Sequence, residues 1–182
     1  MNFQQTIKNK VSLSGVGLHT GVTVTVTFCP APANHGIKFQ RIDLEGQPII
    51  PADCDLVTTV ERGTTLEKNG AAISTVEHML AAVVGLQIDN LLVEVNGIEM
   101  PIMDGSSIEF LNALKTAEIV EQEEERYVFE LRETIKYYDE EKDVEEVDDD
   151  DQEAKNAMIG IKGLRILTSE KNVSALYKEA VN

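Results

Sequence analysis

The adjacent residues Glu77 and His78 are the pair in this sequence best suited to chemistry. They stand in the run "VEHMLAAVVG", whose apolar helix formers predict a helix over residues 76–85, buried on most sides and ended by Gly85 in the left-handed conformation. Neighbouring helical side chains point about 100° apart because a turn holds about 3.6 residues. The histidine can therefore hold a metal ion while the glutamate takes a proton from a water molecule bound to that ion.

An ordinary structural explanation for the same pair stays open. Residues 74–77, "STVE", fit a capping box, in which the Ser74 hydroxyl and the Glu77 carboxylate each accept a backbone N–H at the helix start. The device recurs at Ser106–Glu109, where nothing else suggests chemistry. His78 lacks the second histidine of an HExxH pattern, so any further metal ligands must come from elsewhere.

The net charge of −16 comes mostly from residues 118–153, which include the run "EEVDDDD". Such an acidic block repels phosphate backbones, so nucleic acid is not an expected partner. A solvated linker over residues 139–157 is the plain interpretation. A cation buffer with weak calcium sites over residues 139–153 is the alternative, although the run lacks the spacing of a calcium-binding loop.

Cellular location is inferred from the apolar runs and the cysteines. No apolar run approaches the length of a membrane-spanning helix, and the start of the chain lacks the apolar segment of a secretory signal. Cys29 and Cys54 have neither metal-type spacing nor a disulfide framework. We expect a cytoplasmic protein with reduced thiols and no integral membrane segment.

Alternating residues predict a sheet in the first part of the chain. In "GVTVTVTF" (21–28) one face of a half-buried strand carries Val22, Val24, Val26 and Phe28. One strand in "QTIKNKVSLSG" (5–15) is expected to pair with it, and Asn69-Gly70 predicts a tight hairpin. Further strands are predicted in "GIKFQRI", "PADCDLVTT" and "DNLLVEVNG", and a second helix from about Ser106.

These elements predict an α+β fold, a two-layer sandwich of a mainly antiparallel sheet against two helices, over residues 1–122. Residues 123–182 hold short strand-like and helix-like patterns separated by the acidic run. They are interpreted as a short second αβ segment, an incomplete or divergent second unit.

Three segments, in this order, resemble the N-terminal domain of the UDP-3-O-acyl-N-acetylglucosamine deacetylases, zinc hydrolases of lipid A biosynthesis. They are "SGVGLHTG" (14–21), "STVEHMLAAVVGLQIDN" (74–90) and "VEVNGIEMPIMDGSS" (93–107), and the resemblance covers about residues 3–140. The segment "RIDLEGQP" is most similar to the variety fused to a 3-hydroxyacyl-carrier-protein dehydratase, although no dehydratase portion is recognisable.

The resemblance implies two similar domains, each a sheet layered against two helices, with the active site between them. It implies Glu77 as the general base, His78 as a ligand of one Zn²⁺ ion, and acylated UDP-N-acetylglucosamine as the substrate; zinc and iron both stay open as the metal. His19 has either a supporting role near the site or only a turn role. The segment "MDGSS" (103–107) is expected to turn the chain into the second helix.

One departure from the family pattern is serious. The remaining ligands in the family are a His and an Asp of the second domain, spaced H-x-x-x-D, with another His there as acid, but no histidine follows His78 here. This chain alone is therefore expected to lack deacetylase activity. The alternative function is a non-catalytic remnant or a binding module on the same scaffold. A surface meant for a missing second domain would also favour self-association.

Overall fold

The computed structural model describes residues 3–60 and 63–126. The predictions for the linker over residues 139–157 and for most of the second unit lie outside the described residues. The described part contains strands β1 (Phe3–Ile7), β2 (Val11–Val16), β3 (Thr23–Pro30), β4 (Ile37–Arg41), β5 (Ile49–Pro51), β6 (Val57–Thr59), β7 (Thr65–Lys68), β8 (Ala71–Ile73), β9 (Leu91–Val95) and β10 (Ile119–Glu125). Its α-helices are α1 (Glu77–Gly85) and α2 (Ile108–Thr116), and a short 3₁₀ turn covers Cys54–Leu56.

A five-stranded sheet in the order β2-β3-β9-β4-β5 forms one layer. All of its neighbours are antiparallel except β4 and β9, which run parallel. The strands β6, β7 and β8 form a second antiparallel sheet, and β1 pairs with β10 in a two-stranded ribbon. The fold is thus α+β with mostly antiparallel sheets, which confirms the predicted class.

The core lies between the five-stranded sheet and the two helices. Val24, Val26 and Phe28 of β3 are buried, as the alternation predicts, and Phe28 packs edge-on against Phe110 of α2 with the ring centroids 6.4 Å apart. Met79 of α1 is fully buried in the same cluster. The opposite face of the sheet is polar, since hydroxyl groups of β2 and β3 bond to one another there. In the part of the chain described, neither nine-residue helix has the length or apolar character needed to cross a membrane.

The prediction for residues 5–15 is confirmed in its second part, since β2 pairs with β3. It is wrong in treating the segment as one strand, because β1 pairs with β10 in another sheet. The backbone N–H groups of Lys8 and Asn9 donate to the carbonyl of Ala117 at the end of α2, which turns the chain away from the ribbon before β2 begins. Val22 also departs from its prediction. It precedes β3 and is 58 % exposed, and its carbonyl accepts the N–H of Gly17 to close a turn over residues 17–22.

The first helix was predicted to be buried on most sides, which is wrong. Met79, Ala82 and Val83 face the core, whereas Val84 is 54 % exposed. Gly85 is also not the left-handed terminator, because that conformation falls on Gln87 with φ 57°. The helix therefore packs one face on the core and directs another, which carries Ala81 and Val84, away from it.

The predicted hairpin is confirmed. Asn69 and Gly70 have φ values of 52° and 79°, and they join β7 to β8 in register. Positive φ at both central residues is the conformation that an Asn-Gly pair tolerates best in a two-residue turn. This hairpin brings Gly63 and Thr64, just before β7, next to the start of α1.

The acidic segment "EIVEQEEE" contains β10, an element that the sequence patterns do not reveal. The strand continues past residue 122 to Glu125 and pairs with β1. Arg126 then forms an ion pair of 2.7 Å with Asp89, and both side chains are about nine-tenths buried. The side chain of Asn90 joins the ribbon to the rest of the fold, because its amide group donates to Gln4 and to Gln122.

Glu99 is a fully buried carboxylate between β9 and α2. It accepts the backbone N–H of His19 at 2.9 Å and that of Thr20 at 2.8 Å, and the hydroxyl of Thr75 at 3.2 Å. Burial raises its pKa, but these N–H groups and the hydroxyls of Thr20 and Thr75 together hold the pKa below its ordinary value. The charged form is therefore the one that the fold stabilises.

We predict that Gly97→Ala destabilises the fold. A methyl group on Gly97 would lie 2.5 Å from Cγ2 of Val24, whose branched side chain is stiff. Overpacking of this kind costs about 1–3 kcal/mol of unfolding free energy, which chemical denaturation measures. In a Val24→Ala background the cost of Gly97→Ala should largely disappear. Gly85→Ala is the matched control, since nothing lies within 4 Å of its added methyl group; an equal loss in both glycine variants would contradict the steric explanation.

Glu99 should also contribute to acid sensitivity. A carboxyl group whose pKa is lower in the folded state stabilises the fold above its unfolded pKa of about 4.3, and the contribution is lost as pH falls through the folded pKa. We therefore expect the slope of unfolding free energy against pH, measured below about pH 4.3, to be shallower in Glu99→Gln than in the wild type. Glu45→Gln, on an exposed turn residue, should keep the wild-type slope. An unchanged slope in Glu99→Gln would show that this carboxylate is not preferentially charged in the fold.

Candidate active site at the start of helix α1

The start of α1 is fixed by backbone contacts rather than by a side-chain cap. The N–H of Ser74 donates to the carbonyl of Ile98 at 2.8 Å, and the carbonyl of Ser74 accepts the N–H of Met100 at 3.0 Å. Thr75 follows in the left-handed conformation, with φ 58°. This conformation is uncommon for a β-branched residue and costs on the order of 1–3 kcal/mol, so the surroundings must hold it. The helix then begins with Glu77 and His78.

Glu77 does not act as half of a capping box, so that prediction is wrong. The Ser74 hydroxyl donates to the carbonyl of Ile98, and no side chain caps the helix. The Glu77 carboxylate reaches away from its own helix and accepts the N–H of Thr64 at 3.0 Å through Oε2. The second capping box, at Ser106–Glu109, is also incomplete, because only the Ser106 hydroxyl bonds there, to the N–H of Ile108. The base candidate is thus oriented by the neighbouring loop.

His78 has one nitrogen that lacks a hydrogen-bond partner. Its Nδ1 atom is inaccessible to solvent. Among the described residues, it is the one buried side-chain nitrogen or oxygen without a hydrogen-bond partner. The nearest carboxylate oxygen, Oε1 of Glu77, lies 4.0 Å away, beyond hydrogen-bonding distance. The side chain is 30 % exposed, so the ring is neither locked by polar neighbours nor shut away from the surface. His78 is therefore a candidate metal ligand, on a partly exposed ring with one unpaired nitrogen.

Gly63 marks the space in front of Glu77. A methyl group added to Gly63 would lie 3.6 Å from Oε1 of Glu77 and 3.8 Å from Nε2 of His19. It would also lie 3.4 Å from Oγ1 of Thr75. The structure therefore brings the imidazole of His19 and the carboxylate of Glu77 to the edges of one small space, although 58 residues separate them in the sequence.

His19 is a turn residue between β2 and β3, and it also faces this space. Its backbone N–H is held by the carboxylate of Glu99. His19 is therefore a turn residue by its backbone, and its imidazole lies near the candidate site. Its supporting role in the site stays a prediction.

The segment "MDGSS" turns the chain into α2 as predicted. Met103 and Gly105 have φ values of 54° and 84°, and Oδ1 of Asp104 accepts both the N–H and the hydroxyl of Ser106. These two bonds hold the pKa of Asp104 below its ordinary value, and its carboxylate lies close enough to His78 for the two side chains to interact electrostatically. Asp104 thus adds negative charge to the electrostatic surroundings of His78.

A second group of metal-type ligands lies elsewhere, on the 3₁₀ turn. The ligand atoms of Asp53, Cys54 and Asp55 lie within 4.8 Å of one another. Consecutive residues of a tight turn are close for local reasons, and Asp53 accepts the N–H of Asp55 as its helix cap. Exposed acidic groups of this kind are common on protein surfaces, and the turn holds none of the residues that surround Glu77.

Sequence reasoning missed Gly63, Thr64 and Glu99. Gly63 and Thr64 carry no chemical signal, because the glycine contributes space and the threonine contributes a backbone N–H. Glu99 does carry one: it is a lone carboxylate within the otherwise apolar stretch "IEMPIM". A charged residue in such a stretch is a candidate for a buried, fully bonded anchor.

Comparison with known proteins shows which family this chain matches. The model of the family described as "LpxC: UDP-3-O-acyl N-acetylglycosamine deacetylase" matches residues 4–165 of the chain. The match continues beyond the roughly 140 residues over which the motifs show a resemblance.

Individual relatives give the same result. A bifunctional enzyme LpxC/FabZ of Bacteroides thetaiotaomicron is 51 % identical over 137 residues, which are 75 % of this chain and 30 % of the relative. A UDP-3-O-acyl-N-acetylglucosamine deacetylase of Xanthomonas oryzae pv. oryzae is 45 % identical over 139 residues, 76 % of this chain and 46 % of the relative. A bifunctional enzyme LpxC/FabZ of Chlorobaculum tepidum is 47 % identical over 142 residues, 78 % of this chain and 30 % of the relative.

The chain thus spans less than half the length of the curated relatives it matches. The family match covers most of its residues, including both helices and the loops that surround Glu77. The chain belongs to the LpxC family of UDP-3-O-acyl-N-acetylglucosamine deacetylases.

Proposed function

We propose that this chain supplies the general base and one metal ligand of a zinc-dependent amide hydrolase, which removes the acetyl group of UDP-3-O-acyl-N-acetylglucosamine in lipid A biosynthesis. The observation that carries the proposal is the arrangement at the start of α1. There, a carboxylate is oriented by a loop N–H, and an imidazole nitrogen beside it has no partner. A relative with this substrate in its name is 45 % identical over 139 residues of the chain, and the family model matches residues 4–165, which include the start of α1.

Glu77 is the candidate base. Its Oε2 atom accepts the Thr64 N–H, which fixes the carboxylate, while Oε1 faces the space next to Gly63. A carboxylate held in this way can take a proton from a water molecule in that space and later deliver it to the leaving amine. His19 lies on the other side of the same space.

His78 is the candidate metal ligand. Its unpaired nitrogen and its position beside Glu77 fit a divalent ion, although one imidazole is only part of the three-residue set that catalytic zinc sites use. When bound, zinc acts as a Lewis acid and lowers the pKa of its water. The resemblance to the family implies that the other ligands belong to a second domain. The predicted N-terminal domain, residues 1–122, would then form one half of the catalytic unit.

The second candidate function is a non-catalytic binding module on the same scaffold. The two functions differ in what the chain does with zinc and with substrate once the second half is supplied, so both are outcomes of the following experiments.

We predict weak zinc binding that depends on His78. Removing a direct ligand should lower zinc affinity at least as much as the loss of a neighbouring residue does, which is about tenfold or more. Isothermal titration with Zn²⁺ should show this loss in His78→Ala. His35→Ala is the control, since that imidazole bonds locally to the carbonyl of Gly36. Equal affinities in all three proteins would remove His78 from the metal site.

A second prediction concerns turnover. The 182-residue chain with zinc should release no acetate from UDP-3-O-acyl-N-acetylglucosamine above a zinc-only blank. A chimera should be active if residues 3–126 replace the matching region of the Bacteroides thetaiotaomicron relative. In that chimera Glu77→Gln should lower kcat by about 10²–10⁴-fold, the usual contribution of a general base.

The control for this experiment is Glu67→Gln, on an exposed residue of β7. It should leave kcat unchanged. A folded but inactive chimera would favour the non-catalytic module, and a Glu77→Gln chimera with full activity would show that another group is the base.

A further inference from the structure

Glu99 connects two segments that are far apart in the sequence. Its Oε1 atom accepts the N–H of His19 at 2.9 Å and the Thr75 hydroxyl at 3.2 Å, while its Oε2 atom accepts the N–H of Thr20 at 2.8 Å. Each of these donors would be left without its acceptor if the carboxylate moved. The side chain is fully buried, so water cannot replace the carboxylate without opening the core.

The two segments are the ones that carry the site. His19 and Thr20 belong to the turn over residues 17–22, and Thr75 stands two residues before Glu77. Thr75 is held in the left-handed conformation, and that conformation sets the direction in which α1 starts. The backbone of residues 98–100 also holds this segment, because the carbonyl of Ile98 accepts the N–H of Ser74 and the N–H of Met100 donates to the carbonyl of Ser74. A single carboxylate therefore sets the turn of His19 relative to the helix start.

The distances around Gly63 show why this relative position matters. One methyl-sized volume touches both Oε1 of Glu77 and Nε2 of His19. A shift of about 1 Å in either segment would change the width of this space appreciably, and misplacement by about 1 Å can reduce catalysis about 100-fold.

We propose that Glu99 is a positioning residue of the active site, which holds the imidazole of His19 opposite the carboxylate of Glu77. It does so by anchoring the backbone of His19 and the hydroxyl of Thr75, two residues before Glu77. The proposal rests on the proposed function for its catalytic consequence. Glu99 is enclosed by the groups that it positions, so it acts through His19 and Thr75 and not on the substrate.

Glutamine at position 99 is the sharpest test because it keeps the shape and removes the charge. Its amide has one oxygen in place of two and presents N–H donors to a site lined by donors. The His19 N–H bonds to Oε1 at 2.9 Å and to Oε2 at only 3.3 Å, while the Thr20 N–H bonds to Oε2 at 2.8 Å. A single amide oxygen therefore cannot keep both amides at their present bond lengths. We expect amide hydrogen exchange at His19 and Thr20, followed by NMR on the full chain, to be at least about tenfold faster in Glu99→Gln, and exchange at Met100 to be unchanged. Glu45→Gln is the surface control.

Catalysis is measured separately, in the active chimera described above. Glu99→Gln should lower kcat about 100-fold with a much smaller change in KM, and its zinc affinity should equal that of the wild type. Thr75→Val provides a second variant if Glu99→Gln does not fold, and Thr75→Ser, which keeps the hydroxyl, should restore the rate.

The possible results separate the two proposals. Unchanged exchange at His19 and Thr20 in Glu99→Gln would overturn the positioning role whatever the activity. Faster exchange with an unaltered kcat would show that the anchor is structural only, and would also overturn it. A wild-type chimera without activity would instead contradict the proposed function, while the exchange measurement would still decide whether Glu99 holds the His19 turn.

Discussion

The buried negative charge of Glu99 is the constraint on which the geometry of the site depends. Burying an ionised carboxylate without partners costs several kcal/mol, so the fold can hold it only when N–H and O–H donors surround it. Here the donors come from the turn at His19 and Thr20 and from Thr75 at the start of α1. If either segment moved away, the buried carboxylate would lose hydrogen-bond donors. The most mobile kind of element, a surface turn, is in this way coupled to the core.

The same coupling explains why Glu77 is available for chemistry. In a capping box its carboxylate would bond within its own helix. In this structure the left-handed Thr75 directs the chain into the helix, and Glu77 bonds instead to the N–H of Thr64 on a different loop. One carboxylate oxygen is thus held while the other faces the space beside Gly63. The backbone conformation at Thr75, which costs energy, is what leaves the Glu77 side chain oriented toward this space.

Local patterns predicted the elements that local physics decides. The alternation of β3, the Asn69-Gly70 turn and the position of Glu77 and His78 at a helix start could all be read from neighbouring residues. The errors arose where distant contacts decide. Lys8 and Asn9 turn toward the end of α2, which divides one expected strand between two sheets, and β10 pairs with β1 although its residues are mostly acidic.

The candidate site was predictable in the same uneven way. Glu77 and His78 have the residue types that the proposed chemistry needs, so they could be proposed from the sequence. Gly63 contributes space and Thr64 contributes a backbone N–H. Neither contribution can be predicted from the type of residue. Glu99 was visible only as a charge in an apolar stretch, and its partners His19 and Thr20 lie about 80 residues earlier in the chain.

The central claim is that Glu77 and His78 form one side of a metal-binding active site. Anomalous diffraction at the zinc edge, from crystals of this chain grown with Zn²⁺, tests it most directly. The expected result is a peak about 2.0–2.1 Å from a ring nitrogen of His78, on the side that faces Glu77. A peak at Asp53, Cys54 and Asp55 alone, with His78 unligated, would contradict it.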